Sequence, residues 1–105
     1  MTAEQLFTAY LVDSGIEESK IQELPQLHKD AILDICKSAM RQLENSSDND
    51  KIRYVCECSF HVLRAIHTGI QNVAYYKEAP FEYEFCGKKY TINNPENYLN
   101  IIGFD

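Results

Sequence analysis

The stretch KIRYVCECSFHVLRAIHTGIQNVAYYK, residues 51–77, decides the fold. At about 100° per residue its apolar positions fall on two stripes instead of one. Ile52, Val55, Cys56, Ser59, Leu63, Ile66, Ile70, Val73 and Ala74 make a broad face. Tyr54, Cys58, Val62, Ala65, Gly69 and Tyr76 make a second, uncharged throughout and built of small or aromatic residues. Arg53, Glu57, His61, Arg64, Thr68 and Gln71 form the one polar stripe. A helix that is apolar on more than one side is one that neighbours surround. Pro80 ends it.

The neighbours are legible on both sides. A first helix is expected over about residues 3–14, with Thr2 as cap, Gln5 in the capping-box position and Gly15 as the left-handed stop. Its inward face is Ala3, Leu6, Phe7, Tyr10 and Leu11. A short amphipathic turn over residues 17–23 points Ile21 and Leu24 inward. A second helix over about residues 25–44 begins with Pro25 at its first helical position. It turns His28, Ala31, Ile32, Ile35, Cys36, Ala39 and Leu43 to the core. Asp30 and Asp34 come early on its outer face and Lys37 and Arg41 late, in the order that suits the helix dipole. Residues 45–50, without an apolar side chain and rich in turn formers, read as a loop.

After the long helix the period changes from 3.6 to two. Phe81, Tyr83 and Phe85 alternate with Glu82 and Glu84, and Tyr90 and Ile92 flank Thr91, which predicts a β-hairpin turning near Gly87. A turn at Cys86-Gly87 pairs Tyr83 with Tyr90 and Glu84 with Lys89. A turn at Gly87-Lys88 pairs Phe85 with Tyr90, and glycine in first place gives it the slightly better chemistry. Both put the bulky residues on one face. An isolated hairpin is marginal in water, so that face must lie on the helices or on a partner. A short terminal helix follows, with Asn94 as cap, Pro95 at its first position, Tyr98, Leu99 and Ile102 inward, Gly103 as stop and Phe104 as the closing contact; a strand over residues 98–104 is the alternative. The fold class is therefore mainly α (α+β): a three-helix core with a long third helix, a two-stranded hairpin and a short terminal helix, in a single domain over residues 1–105.

Composition narrows the function. With 45% hydrophobic and 25% charged residues, the 105-residue chain has the makings of a packed core and is no disordered tail. Ten Lys+Arg against sixteen Asp+Glu, a net charge of −6, argues against coating nucleic acid or resting on an anionic membrane. No targeting segment is apparent, and the longest apolar runs are four residues where a spanning helix needs about 20. The four cysteines, three of them on helical segments, read as reduced thiols of a cytoplasmic protein.

Several constellations resemble sites. Cys56 and Cys58 look like half a metal centre, but positions i and i+2 on a helix point roughly 200° apart, so buried structural thiols are the expectation and no metal or cofactor is. Glu57, Cys58 and His61 imitate an orienter, a nucleophile and a base. One helix turn supplies neither oxyanion donors nor a cleft, so no enzyme is expected. Arg53, His61 and Arg64 could hold an anionic ligand, although the arginines stand roughly 16 Å apart and such a stripe is commonly just the wet side of a helix. His28 is expected to be partly buried and to bond locally. The acids are spread along the chain and mixed with lysines, which weakens a third reading as an acidic nucleic-acid mimic.

The reading that results is a non-enzymatic protein-interaction module: a small regulator, an inhibitor or immunity-type protein, or an assembly component of bacterial or phage type, acting as a homo-oligomer. Its candidate interface is Tyr54, Cys58, Ala65, Gly69 and Tyr76 with the hairpin face Phe81, Tyr83, Phe85 and Tyr90. The competing reading is a nucleotide or metabolite binder with a pocket between the third helix and the hairpin, lined by Tyr54, His61, Arg64, Tyr83 and Tyr90. Partners are thus expected to be protein, self or other, with no direct nucleic-acid or membrane binding.

Overall fold

The computed structural model describes residues 1–72 and 80–103, and within them the chain is mainly helical with one small antiparallel hairpin. Helix α1 spans Ala3–Asp13. Its capping box closes as expected: the Gln5 N–H donates to Thr2 Oγ1 at 3.1 Å and the Thr2 N–H to Gln5 Oε1 at 2.8 Å. Gly15 takes the left-handed conformation just beyond it. A single turn, α2, covers Glu18–Ile21, and Leu24 after it is buried.

Helix α3 spans Gln26–Gln42. Pro25 stands at its N-cap rather than inside the first turn. Its extended ψ of 152° keeps it out of the helix while its carbonyl accepts the Lys29 N–H at 3.2 Å. Helix α4 spans Asp48–Gln71, so it begins within the segment expected to be loop. The cause is local. Ser47 Oγ accepts the Asp50 N–H at 3.1 Å, and Asp48 and Asp50 lie in the first turn, where the helix dipole favours negative charge. The expected continuation of this helix to residue 77, with Val73, Ala74 and Tyr76, lies outside the described residues, as does Phe104.

Strands β1 (Phe81–Phe85) and β2 (Lys88–Ile92) pair antiparallel, with Tyr83 opposite Tyr90, Glu84 opposite Lys89 and Phe81 opposite Ile92. This is the Cys86-Gly87 turn, not the Gly87-Lys88 turn that glycine chemistry favours. Cross-strand pairing outweighs the turn. This register sets an acid against a base and a tyrosine against a tyrosine; the other would set Cys86 against Lys89 and Glu84 against Thr91. The turn bears the strain, since both its residues have positive φ, 52° at Cys86 and 80° at Gly87, as a type I′ turn requires. Helix α5 then spans Pro95–Ile102. Asn94 Oδ1 accepts the Asn97 N–H at 3.1 Å and Gly103 is left-handed, so the helix and not the alternative strand forms here.

Helix α4 packs on α3 and α1, α1 on α3, and β2 on α3. Leu6, Leu27, Ile32, Val55, Ile66 and Ile70 meet in the core, with Ile92 from the hairpin and Tyr98 and Leu99 from α5. Each fully buried aliphatic side chain contributes about 1.5–3 kcal/mol relative to exposure. The hairpin's hold on α4 depends on a missing side chain: a Cβ at Gly69 would stand 2.8 Å from Cζ of Phe81. Asparagine accepts the left-handed region more readily than cysteine. Cys86→Asn is therefore expected to stabilise the fold by about 0.5–1 kcal/mol, read as a raised melting temperature; an unchanged or lower one would contradict the strained turn.

Candidate functional site

The second stripe of α4 is partly covered from within the chain. At its start Tyr54 is half-buried, with its hydroxyl 3.3 Å from Gln42 Oε1, to which it donates, and 3.5 Å from Ser38 Oγ. At its far end Gly69 lies under Phe81. Between them Cys58 and Val62 are half-buried and Ala65 is exposed. Tyr76 falls outside the described residues. The hairpin's aromatic face is turned inward: Phe81, Tyr83, Phe85 and Tyr90 are half-buried and pack against the core. The stripe and the hairpin cover one another where Phe81 meets Gly69, and the rest of the aromatic face keeps part of its surface open.

Tyr90 fixes the hairpin to α3. Its hydroxyl donates to Asp30 Oδ2 at 2.9 Å, and Lys88 sits 3.9 Å from the same oxygen and 5.2 Å above the Tyr90 ring. Hydrogen bonds from Gln26 first, then Tyr90, hold the Asp30 carboxyl below the usual carboxylate range, while the bond to that carboxylate pushes the Tyr90 phenol up. Asp30 and the Ser38–Gln42 pair stand on α3 about two turns or more apart, roughly 12 Å or more. The tyrosines Tyr54 and Tyr90 are therefore tied to separate places on α3, and the pocket expected from Tyr54, His61, Arg64, Tyr83 and Tyr90 is not brought together. The depression beside Tyr83, about 190 Å³, is lined instead by Glu82, Glu84 and Lys89. Arg53, His61 and Arg64 are exposed along α4, with the His61 ring edge-on to Phe60 at 6.0 Å.

The thiols separate by face. Cys56 donates to Asp13 Oδ2 at 3.4 Å, on the side of α4 that meets α1, while Cys58 lies on the second stripe. Burial pushes the Cys36 thiol up to about 12. Burial, then the bond to Asp13, pushes Cys56 up to about 11. Both therefore stay protonated at neutral pH and are poor nucleophiles. Among the described residues no three His, Cys, Asp or Glu side chains come together as a metal centre.

One constellation escaped the sequence reading. His28 is fully buried, and its Nδ1 lies 2.9 Å from the hydroxyl of Tyr98, 70 residues away, with the two rings edge to face. This corrects the expectation of a partly buried histidine bonding locally: the first turn of α3 faces α5, and Tyr98 offers the only hydroxyl on that inner face. Nε2 has no hydrogen-bond partner among the described residues, and the buried Ser59 Oγ stands beside the Tyr10 hydroxyl, a polar group placed to pair with it. Burial, then the charge of Lys29, pulls His28 down to about 4, and burial raises Tyr98. Nothing in the spacing of a helical histidine and a distant tyrosine signals this pair. Around α5, Asn97 borders three depressions of about 400, 310 and 270 Å³, the first of them walled mainly by the amides of Asn93, Asn94, Asn97 and Asn100.

Compared with known proteins, the chain matches no family model, no curated protein and no solved structure.

The buried pair makes stability pH-dependent. Unfolding returns His28 to its ordinary value of about 6.5. Between that value and about 4 the unfolded chain binds more protons, and acid favours unfolding. Stability from this group is complete above about 6.5 and falls by about 3 kcal/mol as pH drops through about 4. Urea unfolding across this window should show the loss in the natural sequence and a flatter profile in His28→Leu. Equal slopes in the two would contradict the assignment.

Proposed function

We propose that the chain is a non-enzymatic protein-interaction module of the cytoplasm, self-associating through the middle of α4. The observation that supports this is the uncovered part of the second stripe. Cys58, Val62 and Ala65 carry no charge; Ala65 is exposed, and Cys58 and Val62 keep part of their surface open between the points where α3 and the hairpin take over. Ala65 allows close approach of a second backbone, as small residues do wherever helices pack tightly. The charged residues that would specify water on this flank are displaced to the neighbouring polar stripe of Arg53, Glu57, His61 and Arg64. A small regulator, inhibitor or assembly component has use for such a surface, and the protonated Cys36 and Cys56 thiols suit a reducing compartment.

Size-exclusion chromatography with light scattering tests the reading. At micromolar concentration the natural sequence is expected to weigh at least two chains, and Ala65→Arg to return it to a single folded chain, since the site is exposed. A single-chain mass for the natural sequence would overturn self-association.

A further inference from the structure

The register of the hairpin determines which backbone groups are left over. In a two-residue hairpin the residues flanking the turn exchange hydrogen bonds, so Phe85–Lys88, Tyr83–Tyr90 and Phe81–Ile92 are the bonded pairs. The N–H and C=O groups of Glu82 and Glu84 then point away from β2, along the outer edge of β1. Among the described residues β1 pairs only with β2. The same two residues expose their carboxylates on the solvent face. Glu84 lies directly opposite Lys89, whereas Glu82 lies opposite Thr91 with Lys89 only as a diagonal neighbour. Beside them lies the 190 Å³ depression, and beneath them Phe81, Tyr83 and Phe85 are only half-buried.

The geometry points to the outer edge of β1 as a docking site for an extended segment of a partner protein, basic at alternate positions, that joins the hairpin as a third strand. Such a strand would take up the four open backbone groups of Glu82 and Glu84. It would place Lys or Arg against the two carboxylates and lay the apolar residues between them along the flank of the aromatic face. A second copy does not fit by the same edge. With aromatics kept inward, odd positions of β1 pair only with odd ones. Every antiparallel β1–β1 register that joins the open groups of Glu82 and Glu84 to one another sets an acid against an acid, and like charges directly opposite repel. Pairing β1 with β2 of another copy satisfies the charges but repeats head to tail without closing, which gives a filament. The inference extends the interaction-module reading to a different surface, so a monomeric chain leaves it standing.

The test is a fluorescence-anisotropy titration with a labelled hexapeptide of alternating lysine and valine, beside a control with prolines in place of the valines and another with glutamates in place of the lysines. Amide exchange by NMR locates the contact. The lysine–valine peptide should bind more tightly than both controls and slow exchange at the Glu82 and Glu84 amides. Glu82→Gln with Glu84→Gln, which keeps the backbone edge, should weaken it about three- to tenfold, the worth of two cross-strand charge pairs, with the melting temperature unchanged. Equal binding of the proline control would reduce the effect to bulk charge and overturn the proposal. So would protection confined to α4, or slow exchange at Glu82 and Glu84 in the free monomer. Growth of the free protein into filaments would make a second copy the occupant and also overturn it.

Discussion

The structure depends on the burial of α4 from more than one side. A 24-residue helix with two apolar stripes is not satisfied by a single neighbour. Helices α1 and α3 cover its broad face, where Val55, Ser59, Ile66 and Ile70 are fully buried. The second stripe is closed at one end by α3 through Tyr54 and at the other by the hairpin. That closure needs Gly69, because any side chain there would occupy the space of the Phe81 ring. Two marginal elements thus support each other: a hairpin too small to stand alone hides its aromatic face, and the helix loses an apolar flank from water.

What remains for partners follows from this division. The hairpin lays its aromatic face half-buried against the core, so among the described residues its unpaired backbone groups are those of an edge strand, and its acids both discourage self-pairing and favour a basic strand. Among the described residues, the middle of the α4 stripe is the part where an uncharged position, Ala65, stands exposed. The Cys36 and Cys56 thiols are held protonated, and the buried His28 is held neutral in a pair with Tyr98.

Local features were legible in the sequence because their causes are local. The Thr2–Gln5 capping box, the Asn94 cap and the left-handed Gly103 each involve residues within a turn of one another. The start of α4 was misread because aspartates and asparagine form turns and helix first turns alike, and Ser47 decides between them. The hairpin had two nearly equal registers, and the sum of cross-strand pairs overrode the glycine preference at the turn. The stripe on α4 was visible, but how far the hairpin reaches along it was not, since that depends on the docking of Phe81. His28 and Tyr98 were each placed on inner faces; their bond across 70 residues is a fact of packing alone.

The mutual cover of helix and hairpin is tested most directly by nuclear Overhauser contacts between the Gly69 α-protons and the Phe81 ring in the protein in solution. Strong contacts at concentrations where a single chain is present are expected. Their absence, with the hairpin otherwise formed, would mean that this aromatic face is free and that the division between core and surface drawn from it is wrong.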